Sequence, residues 1–387
     1  MSQNYNPKAM QDIMTDLGPN AALINDPDAL ENLFTPALVI DLDVFDHNLT
    51  RMAAYCQQHS IAFRPHAKTH KSVEIAKRQI AAGAVGVCCA TLGEADVLSN
   101  GGIDNILITT PIIGALKVKR FLELYKTSSG MKVVVDNEIN AADMANAAKD
   151  AGINVDVLVA LDLGLHRIGA RSPEQGVEIV KIMSASDNLT FKGIHAYSGN
   201  LQHIEDYSDR VKQVTAANDI LRDLIAQLKA IDITPELVSG AGTGSHLIDA
   251  VDGVFNEMQV GSFIFMDIEY TEIDWPEATY EQSLFVATRV VSNNRLGVVV
   301  TDGGTKRFSM GGPAPQAVGQ DHWSYAFLGD EHGQITFGDH NEQPEYGAVI
   351  NMIPPHCDPT VNLYDYYHII QDGQLVDIWP IEARGAI

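Results

Sequence analysis

The sequence predicts an α/β fold, a (β/α)8 barrel of the TIM type joined to a β-rich domain. Three observations predict it. Eight apolar runs of strand length alternate with segments long enough to carry parallel crossovers, most of them amphipathic helices. The texture changes near residue 275, beyond which apolar runs are joined by Gly-rich or acidic turns with no clear long helix. The residues equipped for chemistry fall mostly at the ends of the apolar runs, and a barrel gathers those positions at one mouth. An open doubly wound sheet is the structural alternative.

Barrel strands are expected at 62–66, 85–90, 105–109, 132–136, 155–162, 191–197, 236–239 and 259–265. Helices are expected at 46–59, before the first strand, and then at 73–82, 114–126, 139–151, 174–184 and 205–230. In the last third, 283–292, 295–301, 348–352 and 368–371 read as strands, and the early run 37–42 reads as one that completes this second domain. The organisation is then a leader over 1–34, an N-terminal strand of the β domain over 35–45, the barrel over 46–272 and the β-rich domain over 273–387.

A formal net charge of −24 argues against a nucleic-acid partner and against an anionic membrane face. No apolar stretch reaches membrane-spanning length and the leader has no secretory pattern, so a cytoplasmic protein is expected. The four cysteines, Cys56, Cys88, Cys89 and Cys357, form no zinc-type pair and suggest no disulfides.

Lys68 follows the first strand in the run Arg64-Pro65-His66-Ala67-Lys68-Thr69-His70-Lys71. Burial and the surrounding positive groups are expected to depress its pKa, as an imine-forming lysine requires. A basic surface turn is the plainer reading. The fifth strand ends in Leu165-His166-Arg167-Ile168, and the sixth carries His195 and Tyr197, followed by Gln202 and His203. By period-two alternation, His195 and Tyr197 share a strand face. The seventh leads into Gly240-Ala241-Gly242-Thr243-Gly244-Ser245, and the eighth is expected to contain Gln259, Gly261 and Ser262. Glycines let backbone N–H groups approach an anion, so these two loops form a candidate phosphate cradle. A lysine facing such a cradle suggests pyridoxal phosphate, with Arg167 a candidate for its phenolic oxygen or a substrate carboxylate and Tyr197 for its pyridine nitrogen or its ring. His356 and Asp358 are two residues apart in a proline-rich segment. If it is extended, they project to one side as a half-site for a divalent cation, with Cys357 pointing away.

The combination of RPHAKTHK, CCATLGEA, the Arg167 segment, GIHAYSG, SGAGTGS, DEHG at 330–333 and PPHCDPTVN resembles the D-threonine aldolase / D-serine dehydratase family. These are fold-type III pyridoxal phosphate enzymes with an alanine-racemase-like barrel and a β domain. The resemblance spans about residues 35–385. It implies that Lys68 is the imine lysine and that His356 and Asp358 bind a divalent metal such as manganese, magnesium or cobalt. It also implies a homodimer. The dehydratase branch usually has His-x-Cys; His356-Cys357-Asp358 matches the aldolase branch, including 3-hydroxy-D-aspartate aldolases. The implied reaction cleaves a D-β-hydroxy-α-amino acid to glycine and an aldehyde, with D-serine or D-3-hydroxyaspartate dehydration as the alternative. The implied cofactor set is Lys68, His66, Arg167, Tyr197, Gly242, Thr243, Gly244, Ser245, Gln259, Gly261 and Ser262, and the candidate bases are metal-bound hydroxide or a histidine such as His195 or His203. Lys306 and Arg307 are candidates for a second substrate carboxylate. Two departures stand out: the Leu165–Ile168 loop, where many aldolases have a smaller one, and Ala241, where glycine is usual.

Overall fold

The computed structural model describes residues 17–277, 280–338 and 343–387; residues 1–16 of the expected leader lie outside them. Strand β1 (Ala37–Asp41) hands the chain to a helix over Leu42–Gln58, capped by the Asp41 carboxylate accepting from the Val44 N–H. There follow β2 (Ala62–Phe63), β3 (Val87–Cys89), β4 (Ile106–Ile108), β5 (Lys132–Val135), β6 (Val155–Leu161), β7 (Leu189–Ala196), β8 (Leu237–Gly240) and β9 (Glu257–Met258). All eight pair in parallel, in the order β2-β9-β8-β7-β6-β5-β4-β3. A parallel bridge between His66 and Cys88, with the Cys88 N–H donating to Pro65 O at 2.8 Å, closes the ring between β2 and β3.

Both faces of this sheet are buried, and its strands therefore read as continuous apolar runs. Cys88, Leu107, Val134, Leu158 and Ala160 form a separate cluster inside the barrel. Their neighbours in sequence, Cys89, Ile108, Val135, Val157 and Val159, join the larger core beneath the helices. Each helix start has its own local reason. Ser172 and Asp206 accept N–H groups of the first turns after them, and Thr91 with Glu94 forms a reciprocal capping box on Leu92–Asn100, a helix the sequence reading left unnamed.

The second sheet contains β1, β10 (Leu284–Arg295), β11 (Val298–Thr301), β12 (Gln316–Ala317), β13 (Ser324–Phe327), β14 (Gly333–Thr336), β15 (Val349–Ile353), β16 (Tyr366–Gln371) and β17 (Gln374–Pro380). β1 lies antiparallel to β10 and parallel to β16. Residues 17–34 pack on this sheet through Leu33, Val39, Leu375 and Ile378 rather than forming a loose extension. Among the described residues no helix is long and apolar enough to cross a membrane.

Two expected strands take other forms. The run 259–265 is not the eighth barrel strand, which ends at Met258; Ser262–Ile264 is a 3-10 turn. Phe265 is buried there against Phe45 and Tyr367, at centroid distances of 6.2 and 5.6 Å. A short buried apolar run has the same composition whether it is a strand or a turn. The segment around His356 is not extended either. Cys357–Val361 is helical with His356 at its N-cap, and Pro359 falls in the first turn, where a missing N–H costs nothing.

The C-terminal segment braces the loop that carries Lys68. Tyr367 Oη donates to His70 O at 2.7 Å, the Glu382 carboxylate accepts from the Val73 N–H at 3.0 Å, and Thr91 Oγ1 donates to Ala386 O at 3.1 Å. Thr91→Ala loses both the cap and that tie. It should cost about 1–2 kcal/mol, read as a lower urea midpoint, and Thr91→Ser should recover most of the loss.

Candidate active site

A cavity of about 320 Å³ opens at the C-terminal ends of the barrel strands, a volume suited to a small organic group. Lys68, His66, Arg167, His195, Tyr197, Gly242, Thr243, Gln259, Gly261 and Ser262 line it, joined by Ala90, Thr109, Thr110, Ile168 and Tyr270. Strand alternation explains the inward pair: Ile194 and Ala196 belong to the core under the helices, and His195 and Tyr197 face the cavity. A larger groove of about 700 Å³ runs beside residues 30–33, but no lysine, arginine or histidine lines it.

Lys68 sits in the 3-10 turn Ala67–Thr69, its N–H donating to His66 Nδ1 at 3.3 Å. Its ammonium pairs with the Asp358 carboxylate. The expectation of a depressed lysine pKa is therefore reversed. Burial acts to lower it, but the Asp358 charge outweighs burial and holds it above the ordinary lysine range. Burial likewise acts to raise Asp358, and Lys68 holds that carboxyl well below its usual value. The positive neighbours are already accounted for. Arg64 forms a fully buried ion pair with Glu257 at 2.8 Å, and Lys71 pairs with Glu94 at 2.5 Å. Burial keeps His66 and His70 neutral, the latter down to about 4.

The glycine loop is built around the buried side chain of Gln202. Its Oε1 accepts from the Gly244 N–H at 3.0 Å, its Nε2 donates to Ser245 Oγ at 3.0 Å, and Ser245 Oγ accepts from the Gly242 N–H at 3.2 Å. A Cβ on Gly244 would lie 1.9 Å from Gln202 O, and one on Gly242 2.4 Å from Gln202 Oε1. Of the loop residues, Gly242 and Thr243 face the cavity, while Gly244 and Ser245 lie behind it holding the turn. Ala241 adopts φ +64°, the left-handed region where glycine is unstrained, at a cost of roughly 1 kcal/mol. On the facing loop, a Cβ on Gly261 would come within 2.5 Å of Thr69 Oγ1. A side chain at Gly242, Gly244 or Gly261 would collide with Gln202 or Thr69, so glycine lets these loops pack closely; the lining they form with Thr243 and Ser262 fits a phosphate beside an amine.

At the cavity's outer edge the short helix of the β domain meets the loop after β9. Asp267 Oδ1 accepts from the Tyr270 N–H at 3.1 Å, and its Oδ2 accepts from both His356 Nδ1–H and the Cys357 N–H at 2.8 Å. With Nδ1 so engaged, His356 keeps its Nε2 lone pair for a metal. One ligand atom each of Asp267, His356 and Cys357 fall within 4.8 Å of one another, a donor set suited to a divalent cation. Cys357 thus does not point away as an extended segment would require. Burial also pushes its thiol well above the usual range. Asp358 turns instead towards Lys68.

Asp267 was not among the residues expected from sequence: it follows the apolar run 259–265 as a carboxylate with no motif around it, and its partners His356 and Cys357 lie about ninety positions away. His203 lies outside the cavity, in a shallow acidic depression with Glu205, Glu269 and Glu272; its ring stacks on Tyr270 at 4.5 Å and approaches His356 at 6.3 Å. Lys306 is exposed and paired with Glu331 at 2.5 Å, and the Arg307 guanidinium lies 5.9 Å from the Tyr364 ring centroid; neither lines the cavity.

Residues 40–269 match the family model for the alanine racemase N-terminal domain, and 283–370 that for a putative serine dehydratase domain. A 3-hydroxy-D-aspartate aldolase of Paracoccus denitrificans is 37% identical over 358 residues, covering 91% of this chain and 92% of that protein. The chain belongs to the D-threonine aldolase and D-serine dehydratase family. A D-threonine aldolase of an Arthrobacter species is 35% identical over 92% of this chain and 94% of its own. The crystal structure of D-threonine aldolase from Filomicrobium marinum superposes with a TM-score of 0.90 at 36% identity, covering 92% and 97% of the two chains. Three dehydratases of the family match at 26%, 23% and 27% identity.

In this family member, three buried histidines set the response to acid. Burial lowers His70, His195 and His246 to about 4. Between about 6.5 and 4 the unfolded chain therefore binds more protons than the native one, and stability falls as pH drops through that window. Asp249, raised by burial to about 6, and Asp46, also raised by burial, act in the opposite sense but are two groups against three. The thermal midpoint should fall steadily from pH 6.5 to 4; a midpoint that held or rose would contradict these burials.

Proposed function

We propose that the protein is a pyridoxal phosphate- and divalent-metal-dependent aldolase. Its substrate is a D-β-hydroxy-α-amino acid, 3-hydroxy-D-aspartate or D-threonine, cleaved to glycine plus glyoxylate or acetaldehyde. The observation that carries this reading is the contact of Lys68, which lines the barrel cavity, with Asp358 in the helix start of the β domain, beside His356. Family membership supports the class of reaction, and the resemblance supports a homodimer.

Pyridoxal phosphate bound here supplies an electron sink for the charge left at Cα when Cα–Cβ breaks. Lys68 is the residue that links to it. Gly242, Thr243, Gly261 and Ser262 cradle the phosphate, while Gly244 and Ser245 hold the cradle's shape. Arg167, whose guanidinium lies 5.8 Å from the Tyr197 ring centroid, closes one wall and orients carboxylate groups. His356, aimed by Asp267, and Asp358 are the proposed metal ligands, and a magnesium, manganese or cobalt ion there supplies Lewis acidity to the β-hydroxyl. Asp358 is shared: its carboxylate balances the Lys68 ammonium and is available to a cation once the lysine nitrogen carries no charge. The aldolase reading is favoured over dehydration because the residue two beyond His356 is a carboxylate, and because the aldolase relatives are the more similar.

Product analysis with D-threonine and 3-hydroxy-D-aspartate, with and without a chelator, tests this. Glycine plus aldehyde, lost on chelation and restored by manganese, is expected. A keto acid and ammonia would overturn the aldolase reading. Arg167 is the only guanidinium among the described residues that line the cavity. Arg167→Met should therefore raise KM for 3-hydroxy-D-aspartate at least about tenfold more than for D-threonine, the loss of one charged hydrogen bond; equal changes would place the distal carboxylate elsewhere.

A further inference from the structure

A line of buried polar groups that the reaction scheme leaves unused runs back from the cavity wall, from His195 and Gln259 to Glu257. Glu257, on β9, is 1% exposed and ion-paired with Arg64 at 2.8 Å. Ser239 Oγ, on β8, lies 2.6 Å from Glu257 Oε1. Gln259 Nε2 lies 2.7 Å from Ser239 Oγ and 3.0 Å from His195 Nδ1.

The hydrogens in this line can be placed by elimination. Paired with Arg64, the Glu257 carboxylate offers only acceptors, so Ser239 spends its one proton there. The serine oxygen can then only accept, which turns the amide nitrogen of Gln259 towards it. The opposite amide orientation would set two oxygen lone pairs against each other at 2.7 Å. The second hydrogen of Gln259 Nε2 falls to His195 Nδ1, which must be the unprotonated ring nitrogen. The ring proton is therefore on Nε2.

From this geometry we infer that His195 is a fixed hydrogen-bond donor into the cofactor cavity through Nε2–H, and that Gln259 is the positioning residue that enforces it, relaying the Glu257 carboxylate through Ser239. The acceptor it would serve, an anionic oxygen of the cofactor or substrate, rests on the reading proposed above; the proton placement does not. It follows that His195 is not the base that removes the β-hydroxyl proton.

The groups around His195 agree. Burial, then the Arg167 charge, hold it down to about 4, so it gains no second proton near neutrality. Lys68 is a cation on the facing loop, paired with Asp358. His66 obeys the same logic. Its Nδ1 accepts from the Lys68 N–H, and its Nε2 lies 3.2 Å from Thr109 Oγ1, a hydroxyl whose proton goes to Cys89 O at 3.0 Å. His66 is then also a neutral Nε2–H donor, so no proton acceptor faces His195 from that side.

Long-range 1H–15N NMR of the histidine-labelled holoenzyme tests the assignment, with the His195 signal identified by its loss in His195→Asn. The expected spectrum is Nε2-protonated and does not change from about pH 8 to pH 5.5, well above its own titration. Gln259→Glu replaces the donor with an acceptor. His195 should then carry both protons near neutrality, its apparent pKa rising by more than about one unit. Should that variant fail to fold, Ser239→Ala frees the Gln259 amide and should yield a mixture of ring tautomers. A wild-type proton on Nδ1, a titration between about pH 6 and 7, or variants with unchanged spectra would overturn the proposal. Borohydride trapping and peptide mapping at Lys68 tests the cofactor reading separately. Label at Lys68 with a titrating His195 refutes the relay alone; an Nε2-protonated His195 without label leaves the relay standing and refutes the cofactor.

Discussion

The ion pair between Lys68 and Asp358 is the constraint on which the site depends. It joins a turn at the end of the first barrel strand to a helix start in the second sheet. Asp358 is largely buried and Lys68 about a third exposed, so it is the carboxylate that depends on its partner: without a cation opposite, its charge would be left uncompensated. The rest of the architecture brings these two groups to one place. β1 enters the second sheet before the barrel begins, so the two sheets are joined at both ends of the chain. Tyr367 and Glu382 hold the lysine loop from the C-terminal side. Asp267 fastens the loop after β9 to the His356 helix by accepting two hydrogen bonds from it on one carboxylate oxygen.

The same polar contacts divide the histidines by the nitrogen they leave free. His66 and His70 accept a backbone N–H on Nδ1, and His195 an amide hydrogen, so each carries its proton on Nε2. His356 is the reverse: Asp267 takes the Nδ1 proton and the Nε2 lone pair is left for a cation. The mouth thus contains donors on the barrel side and a ligand on the β-domain side, set by their partners and not by residue type.

How much of this could be read from sequence depended on whether the chemistry was local. β4, β5 and β6 were legible because both faces are buried and the apolar runs are continuous. Lys68, Arg167, His195 and Tyr197 were legible because they follow or end such runs. The run Phe263–Met266 misled because its hydrophobicity reflects packing against Phe45 and Tyr367, which no window of sequence contains. β13 was missed because its four residues are half-exposed and its partner β14 is equally short. The pull of Asp358 on Lys68 spans 290 positions. Proximity in sequence suggested crowding by Arg64 and Lys71, yet each of these is neutralised by a glutamate the octapeptide does not contain.

The contrast between Cys357 and Asp358 then bears on which bond is cleaved. Cys357 is fully buried, its thiol held protonated by burial, and its N–H is committed to Asp267. Asp358 is ionised and lies against Lys68. A carboxylate is a harder ligand than a thiolate and favours ions that bind hydroxyl and carboxylate oxygens. An ion of that kind strengthens the acidity of a β-hydroxyl that must lose its proton, which is what cleavage between Cα and Cβ demands. Dehydration instead requires the hydroxyl to depart with its oxygen. The carboxylate at position 358 therefore favours the carbon–carbon bond as the one that breaks.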